Sequence, residues 1–234
     1  SMSRYSTTHT DGFTANNPHL FEQYPLIPQG ISADLIATIE GFSRDDVDSY
    51  AVRSQQRTAQ SIEDGRFKDS LVPIYHEDGK LALDRDEHPR PGTTLDSMNG
   101  LNPSFEKMGK TLFDGHVKTF DDICKEVYPD VKEVQHVHHA GNSSGVVDGA
   151  SAILMSSPAY AKAHGLKPRA RIRMTATAGT EPVIMLTATG PDAEICLRKA
   201  GMTKDDIDLF EINEAFAAVV LKFQRILVLT TIKS

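Results

Sequence analysis

Residues 206–217 read Asp206-Ile207-Asp208-Leu209-Phe210-Glu211-Ile212-Asn213-Glu214-Ala215-Phe216-Ala217. Ile207, Leu209, Phe210 and Ile212 make an apolar run of strand length, Asn213 ends it, and Glu214 to Phe223 returns to a helical pattern. Just upstream, Pro191 opens a helix with Ala193, Cys196, Leu197 and Ala200 at i, i+3, i+4 and i+7, and Gly201 closes it. Helix, strand, polar residue, helix is the signature of a layered α/β arrangement.

Working toward the N-terminus, Arg169 to Ala178 alternates and reads as a strand, and Pro158 to His164 as a short helix stopped by Gly165. The run Ala152-Ile153-Leu154-Met155 fits a buried strand after a turn of small residues, Ala140 to Ala150. From Asp84 to Pro103 the text is charged and loop-like, and from Lys107 to Val134 no period is strong. Leu71-Val72-Pro73-Ile74 reads as a short edge strand, because proline cannot donate to a ladder. Ser43-Arg44-Asp45-Asp46 is a capping-box pattern, followed at helical spacing by Val47, Tyr50, Ala51, Ser54 and Thr58 up to Gly65. The first thirty residues carry no period and read as a long excursion.

The chain has 234 residues, 39% hydrophobic and 24% charged, with 16 Gly and 12 Pro, the usage of an ordinary globular protein. No run approaches the roughly 18 apolar residues of a bilayer span, and no secretory signal is visible. A net charge of −7 argues against a nucleic-acid partner. The charge is uneven: residues 1–135 hold 14 basic against 23 acidic side chains, and the rest 11 against 9. An anionic ligand is therefore more comfortable near the second half. Two cysteines make no disulfide framework and favour a reducing compartment.

Three places could carry chemistry. Asn213 follows a strand and precedes a helix, which suits both an N-cap and a ligand contact at the carboxyl end of a sheet. Gly141-Asn142-Ser143-Ser144-Gly145 would let a ligand approach the backbone closely, although a plain tight turn needs the same residues. His136, His138 and His139 invite a metal, yet in a strand only His136 and His138 share a face, and exposed clustered histidines are common. Cys124 lies among Asp121, Asp122 and Glu126, which would raise its thiol pKa, so it is a poor nucleophile. Cys196 on its apolar helix face reads as a small core residue.

Together these stretches resemble the thiolases, the acyl-CoA C-acyltransferases. Residues 206–217 resemble the strand and NEAF motif of that family. Ser1-Met2-Ser3-Arg4 is similar to the end of its G-x-E-S-M-S-R segment. Gly30 to Asp34, Phe42 to Asp48 and Ser54-Gln55-Gln56-Arg57 are similar to its M-G-x-T-A-E, S-R-x-x-x-D and S-Q-x-R run. Arg90 to Leu95 matches R-x-x-T-T-L, and Gly141 to Gly149 matches G-N-x-S-G-x-x-D-G. These motifs fall in the family's order over about residues 1 to 223.

The resemblance implies a thiolase-like layered α/β fold, truncated at both ends, with residues 1–165 as the remainder of the N-terminal half with its loop domain and 166–234 as the start of the C-terminal half. It implies chemistry on coenzyme A thioesters by Claisen condensation or thiolysis, through a cysteine thiolate, an activating histidine and oxyanion holes. Asn213 would orient a water in one such hole. Ala215 and Phe216, with Ala140, Ser143, Ser144 and Gly145, would line the pantetheine path, and Arg90 would meet the nucleotide end of coenzyme A. Acyl-CoA and coenzyme A are then the partners, in a homo-oligomeric parent, dimer or tetramer. No metal and no cofactor beyond the thioester are expected. The compartment is the cytoplasm, or the mitochondrion or peroxisome in a eukaryote.

Departures from the family accompany the matches. Its nucleophilic cysteine lies upstream of S-M-S-R, its G-H-P histidine and C-x-G-G-G cysteine lie downstream of NEAF, and none is among these residues, so the chain alone is expected to be inactive. Gln224 to Ser234 departs from the family continuation, Pro28-Gln29-Gly30 replaces His-Met-Gly, and about 25 residues are added around Phe113 to Lys132. An acyl-CoA- or lipid-binding module without chemistry is the alternative. Missing early strands and the apolar tail Ile226 to Leu229 would make the isolated chain prone to aggregate.

Overall fold

The structure is a computed structural model that describes residues 18–112 and 117–227. The Ser1–Arg4 motif, the start of the insertion at Phe113 and the tail beyond Leu227 lie outside the described residues.

Helix α1 spans Pro18–Gln23, α2 Gln29–Glu40 and α3 Arg44–Glu63. α2 is buried on every side from Gly30 to Ala37, the polar Ser32 and Asp34 included, so it shows none of the one-faced patterning that reveals a surface helix. It stops at Gly41, whose φ of 68° is left-handed, and the Phe42 amide reaches back to the Ala37 carbonyl at 2.8 Å. α3 starts as its sequence predicts: Ser43 and Asp46 close a reciprocal capping box. Gly65 takes φ 70° just past its end.

Strands β1 (Ile74–Tyr75) and β2 (Leu81–Leu83) form an exposed antiparallel hairpin, the sheet assigned among the described residues. Thr94 and Thr119 cap α4 (Leu95–Asn99) and α6 (Phe120–Val127) with their own capping boxes, and α5 (Glu106–Lys110) lies between them. α7 (Pro158–Ala163) begins with proline and ends before Gly165 at φ 66°. α8 (Thr189–Ala200) ends at Gly201, also at φ 66°. After a single 3-10 turn at Lys204–Asp206 comes α9, Ala217–Ile226.

α9 packs between α2 and α3, and α6 packs on α2 and α5. Ile31, Leu35, Val47, Ile123, Val183 and Val219 are among the side chains of the common core. Phe216 plugs into it, its ring edge-on to Phe105 at 5.9 Å and to His138 at 5.5 Å. Gly30 is required here, because any Cβ would collide with the Phe105 ring.

The strands expected at 152–155, 169–178 and 207–212 are not assigned as strands. Ile153, Leu154 and Leu209 are each more than 80% exposed. An apolar run is a strand only where a neighbour completes its ladder, and no such neighbour stands beside these runs among the described residues.

Candidate functional site

Two segments far apart in sequence are sewn together backbone to backbone. The Ser144 amide donates to the Ala215 carbonyl at 2.9 Å, and the Ala217 amide to the Asn142 carbonyl at 3.1 Å. Ser143 and Phe216 form an antiparallel bridge between them. The seam lies beside an open groove of about 330 Å³ walled by Ser143, Ser144, Gly145, Asn213, Glu214 and His88, with α3 as its other side.

The small-residue turn is rigid because Asn142 is buried and fully engaged. Its amide donates to Asp48 Oδ1 at 2.7 Å and to the Val137 carbonyl at 3.1 Å, and its Oδ1 accepts from the His139 amide at 2.9 Å. The His88 ring lies against Gly145, and a Cβ there would push that exposed ring aside. Ser143 Oγ is enclosed and has no hydrogen-bond partner among the described residues, so it is a polar group still to be satisfied at the groove.

Of the sequence-predicted site residues, Ser143, Ser144, Gly145 and Asn213 meet in this groove. Asn213 is exposed and is not an N-cap, because α9 begins at Ala217 and Phe216 occupies the cap position with extended backbone. Ala140 and Arg90 are exposed outside the groove lining, Ala215 contributes its carbonyl to the seam, and Phe216 is a core residue rather than a wall. The Arg90 guanidinium is folded onto its own loop, donating to the carbonyls of Glu87 and His88 at 2.7 Å.

Sequence reasoning missed Glu214 and its two partners on α3. Tyr50 Oη donates to Glu214 Oε1, and Ser54 Oγ donates to Oε2 at 2.6 Å. Burial and the adjacent carboxylate raise the Tyr50 phenol, which keeps it a donor. The spacing of Tyr50 and Ser54, four residues apart on a capped helix, was a signal for one shared face.

Below the groove the three histidines are buried, not exposed. His136 bridges Asp34 at 2.8 Å and Asp121 at 3.1 Å, and His138 Nδ1 meets Asp34 at 2.7 Å. Gly141 N–H donates to His139 Nδ1, which leaves Nε2 to donate to Asp48 at 2.8 Å. Burial opposes charge on His136, but hydrogen bonds to Asp121 and Asp34 outweigh it and hold the ring up to about 9. Burial likewise opposes ionisation of Asp34, yet bonds from His136 and His138 bring its pKa below the usual range. His139 goes the other way, lowered because burial outweighs Asp48. The side-chain nitrogens are committed to carboxylates and amides, and no group of three His, Cys, Asp or Glu among the described residues could hold a metal ion.

The cysteines differ from nucleophiles in kind. Cys124 is buried, and that burial together with Asp121, Glu181 and Asp34 pushes its thiol up to about 12. Cys196 is only half-buried, so its helix face packs less fully than the pattern suggested. Among the described residues no helix is long and apolar enough to cross a membrane.

Comparison with known proteins matches residues 2–115 to the thiolase N-terminal domain and residues 166–233 to the thiolase C-terminal domain. An acetyl-CoA acetyltransferase of Allochromatium vinosum is 38% identical over 202 residues, 85% of this chain and 44% of that protein. The 3-oxoadipyl-CoA/3-oxo-5,6-dehydrosuberyl-CoA thiolase of Escherichia coli is 36% identical over 215 residues, 91% of this chain and 47% of that one. The dimeric peroxisomal thiolase of Saccharomyces cerevisiae superposes with a TM-score of 0.74 at 28% identity, covering 94% of this chain and 52% of its own. Human mitochondrial 3-ketoacyl-CoA thiolase in complex with CoA gives 0.72 at 30% identity, covering 97% and 51%. The fold is thus thiolase-like, and the chain spans about half the length of the relatives it matches.

Proposed function

Because the chain belongs to the thiolase family, we propose that it serves acyl transfer on coenzyme A thioesters, by Claisen condensation or thiolysis, and that it contributes the pantetheine-facing wall and one oxyanion-hole group. The observation that carries this is the seam between the 141–145 turn and the 213–217 segment, which sets Asn213 and the unsatisfied Ser143 hydroxyl on one groove. An open groove with glycine at its lip admits a thin, amide-bearing chain such as pantetheine, whose amides would complete the serine's hydrogen bonds. Asn213, exposed and unburdened by a capping role, would hold a water at the thioester oxygen. Donors of this kind contribute about 10²–10³ in rate.

Neither cysteine supplies the nucleophile: Cys124 is a buried, strongly protonated thiol, and neither it nor Cys196 lines the groove. The 234 residues alone should therefore bind coenzyme A without turning over acetoacetyl-CoA. We further propose a division near residue 165, which the C-terminal match beginning at 166 supports. A homo-oligomeric assembly and a reducing compartment, cytoplasmic, mitochondrial or peroxisomal, complete the reading.

Calorimetric titration with coenzyme A tests it. Saturable binding is expected, weakened about tenfold, or about 1.4 kcal/mol, by Gly145→Val, which crowds the groove lip and His88. Absence of uptake by the unmodified chain, or thiolysis that vanishes on Cys124→Ala, would refute the reading.

A further inference from the structure

Glu214 is an exposed carboxylate with both oxygens tied to one helix. Tyr50 and Ser54 lie four residues apart on the same face of α3, and each donates its hydroxyl to a different oxygen of Glu214. The residues on either side of Glu214 are the ones the groove depends on. Asn213 precedes it on the wall, and the Ala215 carbonyl follows it, bonded to the Ser144 amide. A carboxylate fixed at both oxygens holds its own Cα in place, and through it the short extended run between the 3-10 turn and α9. Without that tether the run is held by the seam and by its aromatic contacts, Phe216 in the core and Phe210 on Phe223, and no side chain ties Glu214 itself to α3.

Resting on the reading of the groove as a coenzyme A site, we propose that Glu214 is a positioning residue: clamped by Tyr50 and Ser54, it fixes the 213–217 segment against the 141–145 turn and so sets the geometry of Asn213 and the groove. The acceptor must be charged and long enough to span both hydroxyls. Hydrogen bonds to an ionised acceptor are roughly twice as strong as neutral ones, and an aspartate would fall one methylene short. Arg53 and Arg57 line, with Glu214, a depression beside the clamp, and the Arg53 guanidinium lies 5.5 Å from the Tyr50 ring centre.

The test uses the full chain and two readouts. Amide hydrogen exchange at Ser144 and Ala217 reports the seam, and calorimetric titration with coenzyme A reports the groove. Glu214→Ala should speed exchange at both amides and weaken coenzyme A binding, each about tenfold. The pair Tyr50→Phe and Ser54→Ala should do the same, and adding Glu214→Ala to that pair should change nothing more. Glu214→Gln, which keeps an acceptor oxygen, should recover part of the loss, and thermal midpoints should stay close to that of the unmodified chain because Glu214 is exposed. Unchanged exchange in Glu214→Ala, faster exchange with undiminished binding, or effects that simply add would overturn the clamp. Should the unmodified chain take up no coenzyme A, the functional reading falls, and the exchange result alone supports or overturns the clamp.

Discussion

The apolar side chains of α2 and those of the run at 152–155 are alike in kind and opposite in fate. Ile31, Leu35 and Ile36 are fully buried, whereas Ile153, Leu154 and Met155 are 70% exposed or more. A helix satisfies its own backbone and needs only a surface to pack on, and α2 finds α6 and α9. A strand needs a neighbour for every hydrogen bond, and the 152–155 run has none assigned among the described residues. Stability in this chain is therefore concentrated where α2, α3, α6 and α9 converge on the buried aspartates, and the extended stretches contribute little.

The sharpest way to break that contrast is Asp34→Ala. It removes the partner of His138 and of the Val137 and His138 amides and one of the two carboxylates of His136, leaving buried donors unmet and His136 with Asp121 alone. A loss of about 3–5 kcal/mol is expected in urea unfolding. A loss under about 1 kcal/mol would mean that the network is not the keystone.

The pH dependence of stability should follow from the same residues with a worked sign. The folded pKa of His136, about 9, lies above its unfolded value of 6.5, so its contribution is complete below pH 6.5 and drains away as pH rises through about 9. Asp34 is lowered, so its contribution is present above its ordinary pKa of 3.8 and lost as pH falls through its depressed folded value. His139 is also lowered and therefore costs stability as pH falls below 6.5. A maximum near neutrality is expected in urea midpoints taken across pH, and His136→Gln should flatten the alkaline limb. An alkaline limb that persists in that variant would remove His136 from the account.

The smallest effect belongs to the exposed stretch. Leu154→Glu should shift stability by less than about 0.5 kcal/mol. It should nonetheless reduce concentration-dependent light scattering, because Ile153 to Met155 offers apolar surface and an unpaired edge to other copies. A clear stability loss would show that this run packs after all.

How much could be read from the sequence follows the same division. Ser43 with Asp46, Pro158 with Gly165, and Pro191 with Gly201 are local signals, and α3, α7 and α8 appear where they point, α8 two residues early. The pairs Thr94/Ser97 and Thr119/Asp122 carry the same chemistry for α4 and α6 but stand in text without a strong period. α2 escaped because burial on every side erases periodicity. The meeting of the 141–145 turn with Asn213 came from resemblance and not from spacing, since no local rule joins residues so far apart. The histidines read as exposed because their partners, Asp34, Asp48 and Asp121, come from other elements, and burial of that kind is a property of the fold. Asn213 lost its capping role because Phe216 fits between Phe105 and His138 and delays the helix by three residues.

The central claim is that coenzyme A lies along the seam, and hydrogen exchange with and without coenzyme A tests it most directly. Slower exchange is expected at amides 143–145 and 213–217, with α8 unchanged. A footprint on a second groove, lined by Tyr128, Glu181 and Lys222, or none at all, would contradict it.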